Sequence, residues 1–389
     1  MMKVGVVGAG AMGSGIAMVA LANGHEVVLA DLDDDATSRA RQMIEAAIRR
    51  DVEKGRLTSD LAQSAARRLS TVRLPMGLSE FGECSLVIEA IVEELKAKQS
   101  MFRFLESVVD RECVLATNTS SLSVTSIASA CEAPQRVIGM HFFNPAPLMP
   151  LVEIVPGAQT AQDVTTATRS VADEWGKVTV LAADTPGFIV NRVARPFYGE
   201  ALRMLEEGLA DAPTIDWAMR EVGGFRMGPF LLMDFIGNDV NYAVTESVWR
   251  ATYFDARYKP SITQRRLVEA GWLGRKSGRG FYEYGPDAPP RVATEDRTLG
   301  EEIVFRVVAM LINEAVDVVH WRTATADDVD LAMTKGVNYP RGPLAWGNEL
   351  GLHIVLGELE RLRDETEDDR YRPSPLLRRM VREGRRFFE

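Results

Sequence analysis

One histidine of this chain has a carboxylate at a spacing that could support catalysis. His141 follows a β-type apolar run, and Glu153 lies twelve positions later inside another such run. An imidazole titrates near neutral pH and suits a general base, and a buried carboxylate can fix its tautomer and stabilise the imidazolium. A single histidine beside an apolar strand is more often structural, so the pair needs support from its neighbours. The other histidines, His25, His320 and His353, have no such carboxylate and are predicted to be structural or solvated.

Small polar residues follow the strand predicted before the histidine strand. The run Cys113–Thr117 is predicted to be a strand, and Asn118, Thr119, Ser120 and Ser121 come directly after it. Doubly wound sheets bind ligands at the carboxyl ends of their parallel strands, where these side chains would hold a substrate or a cofactor. The plainer alternative is that the serines of this region, Ser121 or Ser123, cap the next helix.

A glycine-rich turn near the amino terminus has the spacing of a dinucleotide site. The pattern G-x-G-x-x-G lies between a predicted strand, Lys3–Val7, and a predicted helix, Ser14–Asn23. The first glycine permits the tight turn, the second lets the backbone approach a pyrophosphate, and the third lets helix and strand pack closely. Free N–H groups at the helix start would then bind the phosphates. The residues predicted to contact the cofactor here are Gly8, Gly10, Ala11, Met12 and Gly13.

An acidic residue after the second predicted strand specifies the dinucleotide. Glu26–Ala30 is predicted to be a strand, and Asp31 follows it, twenty-three residues after Gly8. A carboxylate at this position accepts hydrogen bonds from both ribose hydroxyls of NAD and repels the 2′-phosphate of NADP. We therefore predict a domain that binds NAD.

The first two-fifths of the chain alternates helices and strands. Residues 35–73 are predicted to be helical and strongly charged, Leu86–Ile91 to be a strand, and Val137–Phe143 to be the strand that carries His141. Such alternation indicates an α/β fold with a Rossmann-type parallel sheet. Most charged side chains of residues 35–73 are predicted to be solvated. Lys54 is the first candidate among them to meet the phosphates of an acidic ligand.

The rest of the chain is predicted to be helical and internally repeated. Pro186 and Gly187 break the pattern, and from Asn191 onward the apolar spacing is helical. Matching residues then recur at a constant offset of 114, as in the pair Glu200 and Glu314. This regularity indicates a duplicated helical domain, whose second copy lacks the polar motifs of the first and is predicted to be structural.

The predicted fold class is therefore α/β: a Rossmann-type dinucleotide-binding domain followed by two tandem all-α domains related by duplication. The predicted boundaries are 1–185 for the NAD-binding domain, 186–284 for the helical domain, 285–299 for a linker and 300–389 for the degenerate second copy.

Composition argues against several classes of function. The chain has 389 residues and a formal net charge of -10, which disfavours a nucleic-acid or anionic-membrane partner. No apolar run reaches the ~18 residues of a membrane span. Three cysteines without CxxC spacing fit a reducing compartment and no structural zinc. We expect a cytoplasmic protein that uses no metal.

Together these motifs resemble the L-3-hydroxyacyl-CoA dehydrogenase family over essentially the whole chain. The segments that carry the resemblance are Gly8–Gly13, Asn118–Ser121, His141–Pro145, Leu151–Glu153, Pro186–Arg192, Gly228–Phe230 and Arg275–Tyr282. The duplicated helical domain is similar more narrowly to bacterial two-copy members, which include 3-hydroxybutyryl-CoA and 3-hydroxyadipyl-CoA dehydrogenases. The resemblance implies reversible, NAD-dependent oxidation of an (S)-3-hydroxyacyl-CoA to the 3-oxoacyl-CoA, in fatty-acid or aromatic-compound breakdown.

The resemblance also implies roles for individual residues. His141 matches the catalytic base and Glu153 its paired carboxylate. Ser120 matches a serine that hydrogen-bonds the substrate's 3-oxygen, and Asn191 an asparagine that contacts the acyl group. The further positions implied are Glu93, Lys98, Asn118 and Lys276 for the cofactor, and Asn144 and Lys54 for the substrate.

The substrate and the assembly leave alternatives. A short acyl chain or 3-hydroxyadipyl-CoA is favoured, and the helical domain's arginines, such as Arg192 and Arg195, either favour a terminal carboxylate or have no such role. A dehydrogenase of a small hydroxy acid or sugar acid without CoA is the second hypothesis, and an inactive NAD-binding structural protein is the third. Single-copy family members commonly dimerise through the helical domain. We therefore expect the second copy to pack on the first as an internal pseudo-dimer, with a homodimer as the other arrangement.

Overall fold

The chain divides into two units, Met1–Phe188 and Ile189–Glu389. The computed structural model describes residues 1–55 and 58–388. The two copies of the repeat both lie within the second unit. No helix of these described residues is both long enough and apolar enough to cross a membrane.

An eight-stranded sheet forms the centre of the first unit. Its strands are β1 (Lys3–Val7), β2 (Glu26–Asp31), β3 (Leu69–Arg73), β4 (Leu86–Glu89), β5 (Val114–Thr117), β6 (Val137–Phe142), β7 (Leu151–Pro156) and β8 (Val178–Leu181). Their spatial order is β3-β2-β1-β4-β5-β6-β7-β8, and every neighbouring pair is parallel except β6 and β7. The order reverses between β1 and β4, which is where doubly wound sheets bind ligands.

Helices cover the sheet of the first unit. They are α1 (Ala11–Ala22), α2 (Asp34–Glu53), α3 (Ser59–Arg67), α4 (Leu95–Glu106), α5 (Val124–Ala128) and α6 (Gln162–Glu174). Side chains alternate along each strand, so the sheet contributes to two cores. Val4, Val6 and Ile88 belong to one core, and Val7 and Val87 to the other. This arrangement confirms the predicted α/β architecture.

The prediction of an entirely helical segment over residues 35–73 was wrong at its end. Leu69–Arg73 is β3, an edge strand that pairs in parallel with β2. Only Leu69 of this strand is buried, and Arg67 and Arg68 precede it, so the apolar pattern is weak locally. Backbone pairing with β2 determines the conformation, because strand formation depends on tertiary neighbours more than helix formation does.

The second unit is helical, as predicted. Its helices are α7 (Val190–Val193), α8 (Arg195–Glu206), α9 (Ala212–Trp217), α10 (Pro229–Ile236), α11 (Asn238–Ala251), α12 (Ile262–Glu269), α13 (Arg297–His320), α14 (Ala326–Gly336), α15 (Pro343–Leu350), α16 (Leu352–Thr366) and α17 (Pro375–Glu383). Helix α13 begins inside the predicted linker.

Equivalent helices of the two copies are held by equivalent contacts. Asp216 accepts hydrogen bonds at 2.9 Å from two backbone N–H groups in the first turn of α10. Asp330, its partner at the offset of 114, does the same at 2.8 Å for α15. Gly237 and Gly351, which follow these two helices, have φ angles of 105° and 91°. The shared geometry confirms the duplication.

A buried charge cluster joins the first copy to Glu314 of the second. Arg192 Nε donates to Glu314 Oε1 at 2.6 Å, and Arg257 Nη1 donates to Glu314 Oε2 at 3.4 Å. The Tyr258 hydroxyl donates to the same carboxylate. The Arg257 guanidinium also pairs with Asp317. Three side chains of the first copy thus hold one carboxylate of the second.

The reciprocal cluster joins the second copy to Glu200 of the first. Arg306 Nε donates to Glu200 Oε2 at 3.1 Å, Arg370 Nη1 to Glu200 Oε1 at 3.2 Å, and the Tyr371 hydroxyl to Glu200 Oε2 at 2.8 Å. Each of these residues is the repeat equivalent of a member of the first cluster, at an offset of 113 or 114. Reciprocal contacts between equivalent residues are the signature of a two-fold, isologous interface.

Candidate active site

The antiparallel pairing of β6 and β7 brings His141 and Glu153 together. The two residues lie directly opposite each other in the strand register. His141 Nδ1 is 2.6 Å from Glu153 Oε2, and the two residues are only 6% and 0% exposed. A hydrogen bond at Nδ1 leaves Nε2 as the nitrogen that can take up a proton. The twelve-residue spacing therefore reflects two paired strands and the connection between them.

The connection from β6 to β7 is stabilised by hydrogen bonds from Lys177, which lies outside it in the chain. The Lys177 ammonium donates to the backbone oxygens of Ala146 and Met149 at 2.6 and 2.9 Å. The Phe143 ring lies against the His141 ring, with centroids 4.5 Å apart. Asn144, a predicted substrate contact, is exposed in this connection. The histidine is thus flanked by a fixed loop that carries an accessible amide.

The glycine turn has the shape that a dinucleotide requires. A Cβ atom on Gly8 would lie 2.4 Å from the Ala90 carbonyl oxygen, and one on Gly13 would lie 1.7 Å from the Gly8 oxygen. A Cβ on Gly10 would meet no atom within 4 Å, so that position borders open space. Helix α1 has no side-chain cap at its amino terminus, which leaves its first N–H groups for phosphate oxygens.

Asp31 stabilises the same turn. Its Oδ2 accepts a hydrogen bond from the Ala9 backbone N–H at 2.7 Å, and its Oδ1 accepts one from the Asp33 N–H at 3.2 Å. The carboxylate therefore lies beside the turn where the sequence predicts the ribose. These residues fit the NAD that the glycine pattern implies.

The polar residues after β5 face the histidine strand and Glu93. Asn118 Oδ1 accepts a hydrogen bond from the Phe142 N–H at 2.9 Å, which ties this loop to the residue beside His141. Glu93 Oε1 accepts hydrogen bonds from the backbone N–H groups of Ser120 and Ser121 at 2.9 and 3.0 Å. The cap of α5 is a different serine, Ser123. Ser123 was one of the two serines predicted to cap this helix, and Ser121 instead shares Glu93 with Ser120.

A buried lysine forms an ion pair with Glu93. Lys98 is 1% exposed, and its Nζ lies 2.6 Å from Glu89 Oε1 and 3.2 Å from Glu93 Oε2. Glu89, also buried, accepts further hydrogen bonds from the Ile91 N–H and the Thr117 hydroxyl, both at 2.7 Å. Sequence reasoning missed Glu89, although its place at the end of a strand, nine residues before Lys98, was a usable signal.

Residues 118–121, which we call the serine loop, are held by the negatively charged carboxylate of Glu93. Burial alone would raise its pKa, but the Lys98 ammonium and the hydrogen bonds from Thr119 and Ser120 hold the pKa of Glu93 below its usual value. The carboxylate therefore stays ionised at neutral pH, where it accepts stronger hydrogen bonds from the loop.

The remaining predicted residues lie outside this group. Lys54 is exposed at the end of α2. Asn191 lies on α7 of the second unit. Lys276 belongs to a short 3-10 helix of the same unit, and its Nζ lies 2.6 Å from Asp239 Oδ1. The first unit thus unites the proposed base, its carboxylate and the serine loop.

Two models of known protein families match the chain, and together they cover most of it. "3-hydroxyacyl-CoA dehydrogenase, NAD binding domain" matches residues 3–185. "3-hydroxyacyl-CoA dehydrogenase, C-terminal domain" matches residues 187–284 and 303–386, which are the two copies of the repeat.

Individual relatives agree with these matches. The 3-hydroxyadipyl-CoA dehydrogenase of Escherichia coli K12 is 37% identical, with 96% of each chain covered. A probable 3-hydroxybutyryl-CoA dehydrogenase of Deinococcus radiodurans is 41% identical over 73% of this chain and all of its own. The crystal structure of a 3-hydroxybutyryl-CoA dehydrogenase from Escherichia coli K12 superposes with a TM-score of 0.92, at 36% identity and 98% coverage of both chains.

Proposed function

The chain belongs to the 3-hydroxyacyl-CoA dehydrogenase family, and we propose that His141 is its general base. The protein is an NAD-dependent oxidoreductase of 3-hydroxyacyl-CoA. Bound NAD supplies the acceptor for the hydride that leaves the substrate's C3. His141 takes the hydroxyl proton at Nε2, and Glu153 stabilises the imidazolium through Nδ1. The buried 2.6 Å contact between these two side chains carries the proposal.

Several residues are proposed to hold the cofactor. The glycine turn from Gly8 to Gly13 would bind the pyrophosphate, and Asp31 the ribose hydroxyls. Glu93, Asn118 and Lys276 are proposed as further contacts. Lys98 is buried between two carboxylates, so we propose that it acts on the cofactor site by positioning Glu93.

Four residues are proposed as substrate contacts. Ser120 would donate a hydrogen bond to the substrate's 3-oxygen, and Asn191 would contact the acyl group. Asn144 and Lys54 are exposed, which suits contacts with the outer part of the substrate, Lys54 with the CoA phosphates. Holding the alcohol in one orientation contributes about 7–11 kcal/mol in favourable cases.

The acyl group is proposed to be short or to carry a terminal carboxylate. The relatives named above act, by their names, on 3-hydroxybutyryl-CoA or 3-hydroxyadipyl-CoA. Such substrates arise in fatty-acid and aromatic-compound breakdown.

Steady-state kinetics test the proposed base. NADH formation from 3-hydroxybutyryl-CoA should proceed with the wild type, and His141→Ala should lower kcat by roughly 10²–10⁴-fold while KM changes little. A His141→Ala variant with wild-type kcat would exclude this residue as the base.

We also propose that the helical repeat forms an internal pseudo-dimer. The reciprocal clusters around Glu200 and Glu314 support it, because one chain supplies both halves of an isologous interface. Glu314→Lys should then lower the melting temperature and leave the mass in sedimentation equal to that of the wild type. A fall in mass would show instead that the clusters join two chains, as in a homodimer.

A further inference from the structure

Arg195 is a buried cation that has no acidic partner among the described residues. It begins α8 and is 6% exposed. Its Nε donates to the Asn191 backbone oxygen at 2.8 Å and its Nη1 to the Thr245 hydroxyl at 3.0 Å. Its guanidinium carbon lies 5.0 Å from the centre of the Tyr198 ring. Burial lowers the pKa of Arg195, and the groups that oppose this effect are the phenols of Tyr198 and Tyr339, with no carboxylate among them.

The other buried arginines of this unit differ in this respect. Arg257, Arg306 and Arg370 are buried, and the Arg192 side chain is 12% exposed. Arg192 and Arg257 pair with Glu314, and Arg306 and Arg370 pair with Glu200. A guanidinium stays protonated in proteins, and burying a charge without a counter-ion is strongly unfavourable. Because the fold pairs its other buried arginines, the lack of a carboxylate at Arg195 among the described residues indicates that a bound ligand supplies the anion.

A second polar group near Arg195, the Tyr339 hydroxyl, lacks a hydrogen-bond partner among the described residues. Tyr339 is 8% exposed. Its ring packs on Phe197 and Phe225, with centroids 5.7 and 5.1 Å apart. Tyr339 belongs to the second copy of the repeat, where it is the equivalent of Phe225. The copy that we expected to be purely structural therefore contributes a polar group to the surroundings of Arg195.

Arg195 adjoins the residue proposed to contact the acyl group. Helix α7 ends at Val193 and α8 starts at Arg195. Residues four apart share one face of a helix, about one turn or 5.4 Å along its axis. The Arg195 guanidinium folds back onto the Asn191 backbone carbonyl, so the cation lies against the backbone of the residue proposed to contact the acyl group.

We propose that Arg195 and the Tyr339 hydroxyl bind the terminal carboxylate of a dicarboxylic 3-hydroxyacyl-CoA. This inference rests on the proposed function, because it takes Asn191 as the contact of the acyl group. A carboxylate would supply the missing counter-ion of Arg195 and accept the unused O–H of Tyr339. The second copy then has a role in substrate choice as well as in packing.

Two substrates of equal chain length test the proposal. 3-hydroxyadipyl-CoA ends in a carboxylate, and 3-hydroxyhexanoyl-CoA ends in a methyl group. The wild type should have the higher kcat/KM for the dicarboxylic substrate. Arg195→Leu should lower that value by roughly 10- to 100-fold and leave the value for the hexanoyl substrate within a few fold. Tyr339→Phe should lower only the dicarboxylic value, by roughly 5- to 10-fold.

A matched control removes another arginine from the same helix. Arg203 pairs with Asp368 near the end of α8, and Arg203→Leu should leave the ratio between the two substrates unchanged. Equal losses for both substrates in Arg195→Leu, or no preference in the wild type, would overturn the proposal. If Arg195→Leu does not fold, the ratio of kcat/KM for the two substrates in Tyr339→Phe decides whether the proposal holds. A wild type that oxidises neither substrate would instead overturn the proposed function.

Discussion

Replacing Lys98 by methionine should have two effects. It should displace the serine loop, and it should destabilise the first unit. The Lys98 ammonium lies 2.6 Å from Glu89 and 3.2 Å from Glu93, and it is almost completely buried. Methionine keeps the apolar stem and removes the charge, which leaves the buried Glu89 carboxylate without its cation. Breaking one partner out of a buried ion pair costs about 3–5 kcal/mol. The melting temperature should fall by roughly 6–20 °C, since the unit has the size for which 1 kcal/mol corresponds to about 2–4 °C.

The catalytic effect of Lys98→Met follows from Glu93. This carboxylate holds the backbone of Ser120 and Ser121, and without Lys98 it loses the charge that aligns it. A displacement of about 1 Å at a positioning group can cost roughly 10²-fold in rate. We expect kcat/KM to fall by that order, with weaker NADH binding, at a temperature where the variant is folded. The stability deficit should shrink as the pH falls through the lowered pKa of Glu93, because the Lys98 ammonium helps to hold that pKa down and has no effect once the carboxyl is protonated.

Lys96 provides the matched control for Lys98. It is an exposed lysine of the same helix, so Lys96→Met should change the free energy of unfolding by no more than about 0.5 kcal/mol. Calorimetry, NADH titration and steady-state kinetics on both variants make the comparison. A Lys98→Met variant that is destabilised but keeps wild-type kcat, KM and NADH affinity would refute the positioning role. A Lys98→Met variant whose free energy of unfolding lies within about 1 kcal/mol of the wild-type value would refute the ion-pair reasoning.

Three further predictions concern other parts of the first unit. Glu153→Gln should lower kcat by roughly 10²–10⁴-fold with unchanged NADH affinity, because a neutral amide cannot stabilise the imidazolium. Burial lowers the pKa of His25 below its usual value of 6.5, and its Nε2 accepts the Trp175 N–H at 2.8 Å, so stability should fall as the pH drops below about 6.5. Gly13→Ala should destabilise the fold severely, since its Cβ would lie 1.7 Å from a carbonyl oxygen, whereas Gly10→Ala should fold and bind NADH more weakly.

Each of these predictions has a control and a contradicting result. Wild-type kcat in Glu153→Gln would remove the carboxylate from the mechanism. For His25, intrinsic tryptophan fluorescence follows unfolding against pH, and a His25→Gln variant with the same pH dependence as the wild type would show that another group titrates. For the glycines, equal NADH affinity in Gly10→Ala and the wild type would place the phosphates elsewhere.

Local patterns in the sequence were sufficient where the chemistry lies between neighbouring elements. The glycine turn needs one strand, one tight turn and one helix, and Asp31 needs only the next strand, so their spacing along the chain already encodes their geometry. His141 and Glu153 are similar, because antiparallel strands joined by a short connection place residues opposite each other at a regular separation. The repeat was visible because duplication preserves packing residues at one offset.

Features that depend on distant segments were not predictable in this way. The sequence predicts helix where the edge strand β3 lies, because its partner strand, β2, is separated from it along the chain by two helices. Glu89 was missed because only the packing of the next helix places the Lys98 ammonium on it, although its position at the end of a strand was a signal. The arginines of the helical unit looked alike in the sequence.

The sequence by itself thus determined the cofactor class, the pairing of His141 with Glu153, and the duplication, since each depends on a local spacing or a regular offset. Only the tertiary structure decided which charges are neutralised inside the fold. It paired Arg192 with Glu314, and it left Arg195 beside Tyr339 with no carboxylate partner among the residues that the structure describes. The physical reason is that the free energy of a buried charge is set by the groups packed around it, which come from positions far apart in the chain.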